Sequence, residues 1–114
     1  NRHPRKKSRE KFVARIRELT PRKSGQSLER TITEINQVTR GWFGYYRHCR
    51  WTIFKDMDAM IRRRLRRLLL KRHRRNPKRL NRNQRWPNAY FAECGLWSLR
   101  EAHFRFAQSH AGNY

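Results

Sequence analysis

An all-α fold, a bundle of about three main helices followed by short C-terminal helices, is what this sequence predicts. Three observations predict it. Apolar residues recur at three- and four-residue steps in separate stretches, helix-start and helix-stop residues bracket those stretches, and no apolar–polar alternation of the strand type appears. At 114 residues there is room for one domain with a modest core.

In chain order, residues 1–7 carry no apolar side chain and read as a disordered basic lead-in. Ser8 is placed to cap a short helix with Phe12, Val13, Ile16 and Leu19 on one face and Glu10 in its first turn, ended by Pro21. Pro21 to Gln26 reads as a loop on its Pro, Ser and Gly content. Ser27 then caps a helix from 28 to about 48, with Leu28, Ile32, Ile35, Thr39, Trp42 and Tyr46 on a heptad-like seam. Gly41 and Gly44 fall inside it and suggest close helix approach or a local kink. Their G-x-x-G spacing resembles a KH loop, but a helix rich in aromatics is the wrong setting for one.

The central element is Ile53 to Arg75. Phe54, Met57, Ile61, Leu65 and Leu68 share one side of it, no Pro or Gly interrupts it, and Asn76-Pro77 supplies the stop. Asp56 and Asp58 lie near its start and the cations crowd its end, an order that suits the helix dipole. Residues 76–87 read as a basic loop. Beyond it, Asn88 caps a short helix closed by Gly95, and Ser98-Leu99-Arg100-Glu101 forms a capping box opening a last helix to about Ser109. By boundaries, the prediction is a bundle over 8–75, a loop over 76–87 and a short helical extension over 88–114. The predicted core is Leu28, Ile32, Ile35, Trp42, Tyr46, Phe54, Ile61, Leu65 and Leu68.

Charge bears on partners. Lys and Arg number 30 against 8 acids, a formal net charge of +22, with a pI near 11.7. Such a field points to nucleic acid first and to an anionic membrane surface second. From Ala59 to Ala92 there are 13 cations and no acid. An ordinary charge run is a solvated face, but a whole helix and loop without a neutralising acid favours phosphate binding, and arginine favours forked contacts. Arg63, Arg67, Lys71 and Arg74 form the first stripe by spacing. Arg66, Arg72, Arg75, Arg79, Arg82 and Arg85 come next. Among the aromatics, Trp42 and Tyr46 belong to the seam, Tyr45 and Trp51 stay open between core and base stacking, and Trp86 in the basic loop is the better stacking candidate.

Other chemistries find little support. Cys49 and Cys94 make no C-x-x-C pair, and the histidines His3, His48, His73, His103 and His110 have no metal-ligand spacing. Asp56 and Asp58 project to different sides of a helix, which is wrong for a two-metal nuclease, so Asp58 is expected to pair with a nearby Arg. No catalytic constellation and no cofactor are indicated. No apolar run approaches the roughly 20 residues of a spanning helix, and no signal peptide opens the chain. Beginning at Asn1, the sequence reads as a piece of something longer or as a processed product.

The stretch from Ile35 to Leu65 resembles the maturase-specific domain of group II intron reverse transcriptases. It matches the pattern at Gly41, Trp42, Tyr45, Tyr46, Phe54, Asp58 and Leu65, and the tail from Arg85 to His103 is similar to the segment that follows the domain in many bacterial members. The resemblance implies a helical thumb, also called domain X, that binds intron RNA, assists splicing and grips the template–primer duplex in retrohoming. It also implies a parent RNA-directed DNA polymerase of a mobile element as partner, and a bacterial cytoplasmic setting. Nothing here resembles that polymerase's Y-A-D-D motif or an H-N-H endonuclease, so this chain is expected to bind without polymerising or cutting. The rivals are a basic architectural protein without a polymerase parent, a small metal-dependent nuclease using Asp56, Asp58 or a histidine, and a membrane-surface binder.

Overall fold

A computed structural model describes residues 5–23, 25–72 and 82–111. They form α1 (Lys6–Leu19), α2 (Leu28–Tyr46), α3 (Trp51–Arg72), α4 (Arg82–Arg85), α5 (Asn88–Glu93) and α6 (Leu99–Ala111), with no β-strand among them. The fold is all-α, as the periodicity predicts. Helix α1 packs on α2, and α6 lies along α3 and also touches α2. The apolar seams meet in one core that includes Phe12, Ile16, Leu28, Ile32, Ile35, Phe54, Ile61, Leu65, Phe91 and Leu99. Leu68 is buried, while Trp42 and Tyr46 are half-buried against the core's edge. Each large side chain taken from water stabilises the fold by roughly 1.5–3 kcal/mol.

Local signals set several helix ends. The Ser27 hydroxyl accepts the Arg30 N–H at 3.2 Å and caps α2. Helix α5 closes at Gly95, whose φ of +97° suits a residue without a Cβ. There the Gly95 N–H donates to the Ala92 carbonyl and the Leu96 N–H to the Phe91 carbonyl, the paired bonds of a Schellman turn. The last helix opens at Ser98, which accepts the Glu101 N–H at 3.1 Å.

Asp58 departs from its expected role. Among the described residues it makes no ion pair with an arginine. Buried in the middle of α3, it accepts the Ser98 hydroxyl at 2.8 Å, the Leu99 N–H at 2.9 Å and the Arg100 N–H at 3.1 Å. Two of those donors are orphan amides of the first turn of α6, so one carboxylate caps a helix about forty residues away. On α2, Asn36 completes the attachment: its Nδ2 donates to the Gly95 carbonyl and its Oδ1 accepts the Trp97 N–H, at 2.8 and 2.9 Å. The turn between α5 and α6 is thereby tied to α2, and the start of α6 to α3.

Aromatic rings fill the corner where α2, α3 and α6 converge. Trp42 lies 4.9 Å from Phe12 and 6.0 Å from Phe54 by ring centroids, and Phe43 lies 5.4 Å from Phe54 and 5.5 Å from Trp97. His103 on α6 stacks 4.9 Å from Phe54.

Several expectations are revised. Helix α1 begins at Lys6, with Arg5 at its N-cap and no side-chain cap, so Ser8 lies within the helix and does not start it. Neither Gly41 nor Gly44 serves close packing, since a Cβ on either would meet nothing within 4 Å. Part of the predicted loop, Arg82–Arg85, is a single helical turn. Pro87 rather than Asn88 is the N-cap of α5, because the Asn88 side chain is engaged by Arg66.

Two consequences are measurable. Asp58→Ala strands a hydroxyl and two amides, and should cost about 3 kcal/mol in urea unfolding; a loss under about 1 kcal/mol would contradict the cap. Burial holds the His103 imidazole below its ordinary pKa of 6.5, partly opposed by a hydrogen bond to the Cys49 backbone. The unfolded chain therefore protonates first as pH falls, so His103 leaves stability intact above about pH 6.5 and erodes it below. Melting curves between neutral pH and pH 5.5 should show a smaller acid loss for His103→Phe than for the native chain.

Candidate nucleic-acid interface

Although α3 is densely cationic, its arginines divide by what their guanidinium groups meet. Arg64 crosses to the end of α1. Its Nε donates to the Thr20 hydroxyl at 3.1 Å and its Nη2 to the Thr20 carbonyl at 3.0 Å. A cation there satisfies orphan carbonyl geometry and opposes the negative end of the α1 dipole. Arg72 donates to the carbonyl of Gln26, just ahead of α2. Arg66 is buried, donating from Nε to the Trp86 carbonyl and from Nη2 to Asn88 Oδ1, both at 2.8 Å, with its guanidinium 5.4 Å from the Phe91 ring centroid. These three arginines fasten α3 to three other segments.

Arg63 and Arg67 are exposed and Lys71 is half-buried. Arg67 and Lys71 open, together with Arg64, onto a cleft of about 330 Å³ whose far wall is Thr20, Pro21 and Arg22. The buried side chain of Leu68 lines it. Past Arg22 and Lys71 the depression continues over Lys23, Gly25 and Arg72, for about 410 Å³ more. No acid lines either part. Burial first, then the neighbouring charges of Arg67 and Arg17, hold the Arg64 guanidinium below its ordinary pKa. Crowding without a counter-charge is relieved by a bound anion, and the fork of an arginine suits phosphate oxygens.

Against the predicted stripe, the structure brings Arg67, Lys71 and Arg72 to the cleft. It leaves Arg63 one turn away on the same exposed side. Arg74, Arg75 and Arg79 lie outside the described residues, as does the side chain of Arg82. Two expectations are corrected by burial. Arg66 is 7% exposed, held by the Trp86 carbonyl and over the Phe91 ring, and Trp86 is 6% exposed, as part of the hydrophobic core. The Trp86 ring, covered also by the Arg85 guanidinium at 4.5 Å, offers no face to a base. Three residues of the cleft escaped sequence reading: Arg22, Lys23 and Arg64. The first two sit in the loop between α1 and α2, where Pro, Ser and Gly mark a turn but say nothing of what the two cations face. Arg64 was legible, since it shares its helix face with Arg67 and Lys71 at i+3 and i+7.

Among the described residues, no group of three His, Cys, Asp or Glu gathers to hold a metal. Both oxygens of Asp58 are taken by α6. No helix among these residues is long and apolar enough to cross a membrane.

A family model described as group II intron, maturase-specific domain, matches residues 9–86, more than half of the chain. That span carries every residue lining the cleft. No curated protein matches the chain.

The division among arginines has a direct test. Arg66→Ala leaves the Trp86 carbonyl and Asn88 without their donor inside the fold and should destabilise by about 2–3 kcal/mol. Arg67→Ala, one position on, should change stability by no more than about 0.5 kcal/mol. Equal losses in chemical denaturation would remove the distinction.

Proposed function

The chain belongs to the group II intron maturase-specific domain family, and on that premise we propose that it is an RNA-binding module that grips intron RNA through the cleft between α3 and the α1–α2 loop. The observation that carries this is the acid-free convergence of Arg22, Lys23, Arg64, Arg67, Lys71 and Arg72, drawn from two elements. A solvated charge run gains nothing from meeting the cations of a second element; a phosphate-binding site does.

The mechanism is electrostatic. An RNA approaching its compact fold brings phosphates together, and their repulsion opposes the last steps. Guanidinium groups anchored at Thr20 and Gln26 present fixed charge there, while Arg67 and Lys71 adapt to the backbone's path. Arg63 extends the surface by one turn. Splicing chemistry belongs to the RNA, and the protein's part is to hold it in the competent shape. In a parent reverse transcriptase the same cleft would act as the thumb, following the backbone of a template–primer duplex during retrohoming, in a bacterial cytoplasm. A helix-borne cationic face suits that task because it reads backbone spacing without reading bases.

Competition binding at several salt concentrations tests the proposal, with labelled group II intron RNA against structured RNA of equal length and duplex DNA. The expected result is preference for the intron at physiological salt. Arg67→Ala and Lys71→Ala should each weaken binding across RNAs and lower the salt slope by up to about one unit. Equal competition by all three would point to an unspecific basic binder, and an unchanged slope in the double variant would remove the cleft from the interface.

A further inference from the structure

A second groove runs along the other side of α3, with chemistry unlike the cleft's. Successive helix positions turn by about 100°, which puts Arg62 about 20° from Trp51 around α3, and Arg67 about 160° from it. Lys55 and Arg62 of α3 line this groove with Trp97, Arg100 and Phe104 from the chain leading into and along α6, around a volume of about 720 Å³. At its edge stands Trp51, whose ring centroid lies 5.2 Å from the Arg100 guanidinium and 5.8 Å from Lys55 Nζ.

Three features of this groove point to a ligand. Among the described residues there are three large exposed hydrophobic side chains; Phe104, at 61% exposure, lines the groove, and Trp51, at 48%, packs against its lining residues Lys55 and Arg100. Such rings in water contribute nothing to the core. Next, the Nε of Arg62 is buried without a hydrogen-bond partner, a donor left unmatched beside the groove. Finally, the acids nearby do not cancel its cations. Asp58 is committed to α6, which leaves Glu101 against Lys55, Arg62 and Arg100.

Flat exposed rings interleaved with cations are the apparatus for unpaired nucleotides. Bases stack on the rings whatever their identity, while the cations track the backbone. A duplex keeps its base faces inside and cannot use such a surface except at an end. The acid-free cleft has the opposite character, with charge and no exposed ring. Resting on the RNA-binding reading above, we infer that the Trp51–Phe104 groove is a separate site for single-stranded RNA, so that the module holds a structured backbone on one side of α3 and an unpaired segment on the other.

Fluorescence anisotropy on the full chain tests this with two probes: a short oligouridylate and a blunt RNA duplex carrying the same number of phosphates. Trp51→Ala should weaken oligouridylate binding by about 10-fold or more and leave duplex affinity within about twofold. Trp51→Phe should retain most of the oligouridylate affinity. Phe104→Ala, from the opposite wall, should repeat the selective loss and guard against a local effect at the α3 start. Parallel losses for both probes, or no loss for either, would overturn the assignment. Failure of the cleft is read separately, as duplex binding that is insensitive to salt and to Arg67→Ala with Lys71→Ala, because the oligouridylate measurement does not depend on those residues.

Discussion

The carboxylate of Asp58 is the interaction on which the rest of the molecule turns. In a chain with 30 cations it would be expected to find an arginine, and it finds backbone amides instead. The preference is physical. A buried ion pair requires desolvating two charges, whereas the amides at a helix start are already inside the fold and lack partners of their own. One buried charge thus satisfies the opening of α6 and fixes where that helix begins and which way it points. The placement of Trp97, Arg100, His103 and Phe106, and with them the aromatic corner, follows from that bond set.

A shortage of acids also explains how the arginines are used. Folded proteins commonly answer surface cations with carboxylates. Here only Lys6–Glu10 and Arg15–Glu18 do so among the described residues, both on α1 and both solvent-exposed. Backbone carbonyls take over the task on α3: Thr20 at the end of α1, Gln26 before α2 and Trp86 before α5. Carbonyl dipoles satisfy a guanidinium without neutralising it. The scaffold is therefore cross-linked by groups that keep their full charge, and the field presented to a polyanion survives the assembly of the fold.

The sequence disclosed what is local. The α2 and α3 seams, the Ser27 cap, the Ser98 cap and the Gly95 turn all depend on neighbours within a few positions, and periodicity or cap chemistry exposes them. What escaped was tertiary. Helical spacing says which face Arg66 occupies, but not that the carbonyl of Trp86 lies within its reach, so spacing alone puts both residues on an open surface. Arg22 and Lys23 escaped for the same reason: a loop's charge matters only once another element's charge is brought opposite. At Ser8 a sound capping residue was overruled, since the helix propagates one turn further back to Lys6. The family pattern at Phe54 and Asp58 marks two residues with structural rather than RNA-facing roles, one in the aromatic corner and one capping α6.

Asn36 and Asp58 have a bearing on where this domain ends. The match to the family model ends at residue 86, but the groups that Asn36 and Asp58 hold all lie beyond it, as do Phe91 and Leu99, which are wholly buried. The span that the family model matches and the span that packs into one core are thus different lengths. A piece cut at residue 86 would keep a buried carboxylate while losing the hydroxyl and amides that donate to it, along with two fully buried side chains of the core. The segment after α4 is accordingly less an appendage of the bundle than its missing wall, and any transfer of the domain into another protein has to carry that wall with it.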